Sequence, residues 1–384
     1  MDSPIYEQLS SIRRQTLTDI IKAKNTGRTV MGYYCTYTPI EFALAADAII
    51  VPLCASKKGP LAAADNDLPQ NLCPIVRTIY DLAMTGSCPY FYQCDLVVAE
   101  TTCDGKKKIY ELLQRIKNVH IMNLPQVQES LASLSLWDSE IQRLKSAIEQ
   151  QVKHSLSDDA IRQAIHLVNR ETTLRKELFD LNRANPALIS GKELIVISSN
   201  LEFAVDRIEA IRMLQEYIAD VKVQAGQGYH IGNNSTPRIL LTGCPVGEDD
   251  DKVVTLVEEC GGQVVAFETC GGYKTTGLYI DETDPRDPVT LLAEKYLKVP
   301  CSVMSPNQGR MKLLEQMITE FSIGGVIDLT WQACHTYNIE SYTVADLVKN
   351  KMGKAFLHLE TNFSDADSEN LRVRIEAFME MIRR

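Results

Sequence analysis

The chain has 384 residues, 45% hydrophobic and 23% charged, with 40 basic against 50 acidic side chains and a formal net charge of −10. That length exceeds one ordinary core and predicts two domains of roughly 150–200 residues each. The acidic balance argues against a general nucleic-acid surface, and apolar runs of about eight residues fall short of the roughly 18 that a membrane span needs. The N-terminal "MDSPIYEQLSSIRRQ" lacks the apolar segment of a secretion signal, so the expected location is cytoplasmic.

In chain order, "TVMGYYC" (Thr29 to Cys35) reads as a buried strand and "PIEFALAADA" as a helix opened by Pro39. "IIVPLCA" (Ile49 to Ala55) is the next strand, followed by the turn-rich "KKGPLAAADNDLPQN". "CPIVRTIYDLAM" is a helix with Pro74 in its first turn. Then come a strand at "CDLVVAETT" (Cys94 to Thr102), a helix at "DGKKKIYELLQRI" and a strand at "VHIMNLP". Strand alternates with helix, which predicts a parallel sheet covered on both faces.

From Gln126 to about Asn185 the apolar residues recur at spacings of three and four, including Leu131, Leu134, Ile141, Leu144 and Ile148. This predicts a helical insertion on the first domain. "SGKE" (Ser190 to Glu193) is a capping box opening a helix, and a longer helix covers about Ala204 to Gln224. "AGQGYHIGNNSTP" (Ala225 to Pro237) has the composition of a linker. Beyond it the alternation restarts with a strand at "RILLTGC", a helix at "DDKVVTLVEECG" ending at Gly261, and a strand at "QVVAFETC". A helix at "RMKLLEQMITEF", a strand at "GGVIDLTWQAC", a helix at "ESYTVADLVKN" and a strand at "AFLHLET" follow. The expected fold is α/β with two doubly wound parallel-sheet domains, residues 1–195 and 196–384, the insertion at about 126–185 and the linker at about 225–237.

The eleven cysteines are an odd number without the spacing of a disulfide framework. In a reducing compartment such residues are buried small hydrophobes or metal and redox ligands. Five of them, Cys35, Cys103, Cys244, Cys270 and Cys334, fall at or just after the ends of predicted strands, and Cys73 opens a helix in "NLCP". In an open parallel sheet the ligand crevice lies beyond the carboxyl ends of the strands. A core cysteine has no reason to prefer that position. Cys35, Cys73, Cys103 and Cys334 are expected just before helices, where exposed N–H groups stabilise a thiolate. Glycines near Cys103 (Gly105), Cys244 and Cys270 are expected to let the backbone approach a bulky ligand. Paired C-x₂₋₄-C zinc spacing, C-x-x-C redox motifs and the bacterial ferredoxin run are all missing. Thiolates converging from far apart suit an iron–sulfur cluster between the domains, with its nuclearity left open. Cys54 also ends a strand, and Cys88 and Cys301 lie in loops beside prolines. These three stay outside the ligand set with Cys94 and Cys260, which read as packing residues.

The segments "GYYCTYTPIE", "LPQNLCPIVR", "CPYFYQCDLVVAETTCDGKKKIYE", "LTGCPVG" and "QACHTY" resemble the family of 2-hydroxyacyl-CoA dehydratase and benzoyl-CoA reductase components. Within it, the chain is most similar to the double-cubane cluster proteins. The resemblance implies two Rossmann- or flavodoxin-like domains with an iron–sulfur site in their cleft. It also implies a separate ATP-hydrolysing activator, a homodimer with its own [4Fe–4S] cluster, which supplies low-potential electrons. Dehydratase-type subunits use three cysteines for one cubane, whereas an [8Fe–9S] double cubane calls for six thiolates. Cys35, Cys73, Cys103, Cys244, Cys270 and Cys334 make six.

The expected function is therefore that of a homodimeric iron–sulfur reductase component acting on a small substrate. The alternatives are a 2-hydroxyacyl-CoA dehydratase or aryl-CoA reductase subunit with a single [4Fe–4S] cluster, and a non-catalytic cluster carrier or zinc-stabilised scaffold. With no G-x-x-x-x-G-K-[ST] motif, ATP hydrolysis is assigned to the partner. Glu41, about one helical turn beyond Cys35, and His335, beside Cys334, are candidate proton carriers, weighed against a solvated carboxylate and a plain neighbour of the site. Tyr33, Tyr37 and Tyr337 line the site or pack. Lys106, Lys107 and Lys108 read as a solvated helix face, with cluster charge, a CoA phosphate or activator docking as alternative uses.

Overall fold

The computed structural model describes residues 3–54 and 56–383. Met1, Asp2 and Arg384 lie outside the described residues, as does Ala55, the last residue of the strand expected at 49–55. Two four-stranded sheets organise the chain, and every strand pair in them is parallel. The first contains β1 (Val30–Tyr33), β2 (Ile49–Pro52), β3 (Leu96–Glu100) and β4 (Val119–Met122) in the order β2-β1-β3-β4. The second contains β5 (Arg238–Gly243), β6 (Gln263–Glu268), β7 (Gly325–Trp331) and β8 (Ala355–Thr361) in the order β6-β5-β7-β8. The two orders are the same when each sheet is counted from its own first strand. In both, the second strand pairs on one side of the first and the third on the other, which opens a crevice at the carboxyl edge. The doubly wound α/β class expected from the sequence is the class observed.

The strands read as apolar runs because helices cover both faces. Val30, Ile49, Val51, Val97 and Ala99 point into a core that continues through the second sheet. Met31, Ile50, Leu96 and Val98 point the other way, onto Trp137, Ile141 and Leu144. Those three belong to helix Leu131–Val152, which forms the expected insertion together with helix Asp158–Asp180. Ser130 and Ser157 cap the two helices, each accepting a backbone N–H three residues on. The stripe is buried from Ile141 onward, but Leu131, ahead of it, is 88% exposed.

Helices Pro4–Asn25, Ala62–Asp67, Pro89–Gln93, Pro288–Leu297 and Ser368–Arg383 were not expected. The fourth matters most. Asp287 caps it by accepting the Val289 and Thr290 N–H groups, with Pro288 in the first turn. It packs on helix Leu131–Val152, and its Val289 and Leu292, with Val299 beyond it, join the core around Met31 and Val98. A segment of the second half thus completes the core of the first. Residue 195, the expected domain boundary, lies inside the buried helix Gly191–Glu202, which the Ser190–Glu193 capping box opens. The expected linker begins inside helix Arg207–Gly226 and is tied down at Ile231, whose N–H bonds the Ala187 carbonyl at 2.8 Å.

Candidate metal centre

Cys35, Cys103, Cys244, Cys270 and Cys334 follow β1, β3, β5, β6 and β7 respectively, each within three residues of the strand end. Cys73, Cys103 and Cys334 are the N-cap residues of helices Pro74–Met84, Asp104–Leu113 and His335–Asp346. Cys35 departs from the expected placement. A turn closed by the Thr38 N–H on the Cys35 carbonyl separates it from helix Ile40–Ala45, which Pro39 caps.

The backbone before two cysteines is unusual. Gly243 has φ +112°, and a Cβ there would lie 2.1 Å from the Leu329 carbonyl oxygen, so only glycine fits the turn into Cys244. Ala333, just before Cys334, also has a positive φ of 59°, a strained conformation for a residue with a Cβ. Gly105 serves a different purpose from the one expected: its Cα faces Val76 and lets helix Asp104–Leu113 approach helix Pro74–Met84.

The thiols gather into two sets. In the first, the Cys334 sulfur accepts hydrogen bonds from the Cys244 and Cys73 thiols and is pushed down to about 3. Cys73 is raised by that bond and then by burial, Cys244 by burial and then by Cys334. Cys103 feels the charge of Cys334; burial raises its thiol, although the Lys106 and Gly105 N–H groups pull the other way. The helix-start N–H groups thus act in the expected direction at all three N-cap cysteines, and at Cys103 burial outweighs them. In the second set, burial raises Cys35, Lys106 opposes the rise, and Glu100, Cys270 and Cys301 add to it. Burial pushes Cys270 up to about 11 against the pull of Lys274. Each set draws on both halves of the chain.

Lys106 is turned inward between the two sets, its ammonium donating to the Tyr34 carbonyl at 3.2 Å and feeling Cys35, Cys54 and Cys103. This corrects the reading of all three lysines as a solvated face, which holds for Lys107 and Lys108 alone. Cys301 was missed because no strand precedes it: it follows the unexpected helix Pro288–Leu297. Cys54, placed after β2 as Cys270 is after β6, lines a cavity with Cys35 and Cys270.

That cavity, of about 150 Å³, is also lined by Tyr33, Lys106 and Glu202. A second chamber of about 110 Å³ is lined by Thr38, Arg175, Arg207, Lys295 and Tyr296. Tyr33, Thr36, Glu202 and Cys270 face both. Glu41 is fully buried behind the second chamber, accepting hydrogen bonds from Lys295 Nζ and Tyr296 OH, each at 2.8 Å. It is neither solvated nor part of a chamber lining. His335 is exposed at the start of its helix. Tyr37 packs edge-on against Trp137 and donates to the Val299 carbonyl, whereas Tyr337 is buried against Lys274, 2.6 Å from its ammonium. Among the described residues no disulfide forms, no set of three His, Cys, Asp or Glu side chains is arranged to hold a single metal ion, and no helix is long and apolar enough to cross a membrane.

Fold and site define a class: a parallel α/β protein of two similar sheets, with thiols from both halves meeting beyond their strand ends. Residues 35–382 match the family described as 2-hydroxyglutaryl-CoA dehydratase, D-component, and the chain belongs to that family. It is 40% identical over 378 residues to the putative dehydratase subunit YjiM of Escherichia coli (strain K12), covering 98% of each chain. It is 22% identical to one of the subunits of the benzoyl-CoA reductase of Thauera aromatica, over 61% of this chain and 64% of that one. It is 17% identical to the beta subunit of the lactoyl-CoA dehydratase of Anaerotignum propionicum, over 93% and 92%. The family resemblance read from the cysteine motifs is borne out, and the family includes subunits of dehydratases and of a CoA-ester reductase.

Proposed function

We propose that the chain is an iron–sulfur reductase component, homodimeric and cytoplasmic, that reduces a small substrate. Cys35, Cys73, Cys103, Cys244, Cys270 and Cys334 would hold an [8Fe–9S] double cubane. Electrons would come from a separate ATP-hydrolysing activator, since this sequence has no P-loop. The observation that carries the reading is the division of the thiols into two adjoining sets, each drawing on both halves of the chain. The donor chemistry fits, because the gathered side chains are soft thiols with cationic Lys106 between the sets. When bound, such a cluster supplies electrons at low potential. The chain's own contributions are hydrogen bonds and charge. The Trp331 N–H donates to Cys244 Sγ at 3.3 Å, Lys106 offsets negative charge, and Cys244 is buried among apolar residues.

Anaerobic iron and acid-labile sulfide per chain test the reading. About eight irons and nine sulfides are expected from the cluster formula, and zinc without sulfide would sink it. One observation favours a second reading, a dehydratase-type subunit with one [4Fe–4S] cluster: Cys73 and Cys244 both act directly on the Cys334 sulfur, which makes a set of three. Cys270→Ala separates the two. A double cubane predicts loss of about half the iron, and a single cubane on Cys73, Cys244 and Cys334 predicts full retention. Cys103→Ser against Cys301→Ser then decides which of these completes the set, since Cys301 stands beside Cys35 and Cys270.

A further inference from the structure

Glu202 ends helix Gly191–Glu202, and its side chain lines both chambers. A Cβ on Gly271 would lie 3.4 Å from its Oε1, so the glycine beside Cys270 leaves room for the carboxylate. The charged and titratable groups facing it come from three elements: Tyr33 on β1, Glu171 and Arg175 on helix Asp158–Asp180, and Arg207 on helix Arg207–Gly226. Cys270 and Lys106 share the first chamber with it. Glu171 takes the direct hydrogen bonds of both arginines, from Arg175 Nε at 3.0 Å and from Arg207 Nη1 at 2.7 Å. Glu202 receives only their longer-range attraction. Burial therefore wins and holds its carboxyl above the ordinary range, with Glu171 adding to the rise.

Two other acids stand near the thiols, Glu100 fully buried and Asp250 half-buried. Glu100 lines neither chamber and accepts from the Thr38 hydroxyl. Asp250 lines the first chamber alone and is committed to the Gly247 N–H. Neither reaches the wall that the two chambers share.

We propose that Glu202 delivers the proton that accompanies an electron passed to a substrate at the junction of the two chambers. The proposal rests on the reductase reading. The electron would come from the reduced iron–sulfur cluster of that reading, and the Glu202 O–H bond breaks to give the proton. The substrate gains one of each, and the carboxylate left behind, stabilised by Arg175 and Arg207, regains a proton from water.

The test is the midpoint potential of the anaerobically assembled protein across roughly pH 6–9, for wild type, Glu202→Gln, Glu202→Asp and Glu100→Gln. Wild type is expected to fall in potential as pH rises, by no more than about 59 mV per pH unit, the one-electron equivalent of a tenfold change. Glu202→Gln should keep its iron and sulfide and lose the slope, while Glu202→Asp and Glu100→Gln retain it. A slope that survives in Glu202→Gln, is lost in Glu202→Asp with iron intact, or vanishes in Glu100→Gln overturns the proton role and leaves the cluster reading standing. If Glu202→Gln loses iron, the slope of Glu202→Asp decides. Wild type without iron and sulfide overturns both.

Discussion

Each half of the molecule buries a glutamate at the end of a strand, and the two are treated in opposite ways. Glu268, closing β6, has no exposed surface, and neither do its partners Arg310 and Lys274. Arg310 Nε donates to it at 3.0 Å, and Lys274 stands 3.3 Å away. Burial alone would raise its pKa; the two cations reverse the sign and hold it below the usual carboxylate value. Glu100, closing β3, is buried as completely but has only the Thr38 hydroxyl on one oxygen, none on the other, and Lys106 at longer range. Burial wins, and its carboxyl is pushed up to about 7. Glu268 is held as a fixed charge among cations, whereas Glu100 changes charge near neutrality.

Removing the fixed charge should have the largest effect. Arg310→Met leaves Glu268 buried with one cation fewer and is expected to cost about 3–5 kcal/mol in urea unfolding. Adding Glu268→Gln should recover most of that. A single-mutant cost under about 1 kcal/mol would show that the pair does not hold this half together.

Glu100 gives the next effect, through pH. Its folded pKa lies above the ordinary 4.5, so the stability it contributes is fully present below 4.5 and is lost as pH rises toward about 7. At about 1.4 kcal/mol per unit the loss amounts to about 3 kcal/mol. Glu100→Gln should flatten this part of the stability curve, and an unchanged slope would remove Glu100 as its source. Glu268 runs the other way, its contribution present above 4.5 and lost as pH falls through its lowered folded value. Acid should therefore weaken what Glu268 contributes while it strengthens what Glu100 contributes.

The smallest effect concerns the backbone before Cys334. Ala333→Gly relieves a left-handed alanine and should stabilise by up to about 1 kcal/mol, measured by thermal unfolding. A loss would mean that the Ala333 methyl contributes packing that outweighs its strain.

Much of the fold was legible where a helix or strand carried its own start and stop signals, although helix Pro288–Leu297, opened by Asp287 and Pro288, carried them too and was passed over. β5 to β8, the Ser190 cap and the strand-end cysteines are all placed by local pattern. Chain topology was harder to read. Nothing in "DPVTLLAEKYL" shows that it will cover the first sheet, so Cys301, which follows it, had no strand to mark it. Lys106 was read with its two neighbours because the sequence shows three lysines in a row, and only helix phase separates the inward one from the exposed pair. Glu202 lies inside an ordinary helical stretch and becomes visible when the two chambers meet at it.

Because helix Pro288–Leu297 completes the core of the first sheet, the chain passes between its halves and returns. A cut within 225–237 would not release two independent bodies. The fragment beginning at Arg238 would still carry the side chains that cover Met31 and Val98, and the buried Glu41–Lys295 pair would still join it to the other. Inheritance is bound by the same interlock. A first half exchanged for that of a relative would have to accept Leu292 and Val299 from the second, so the two halves of this duplicated-looking fold are constrained to change together.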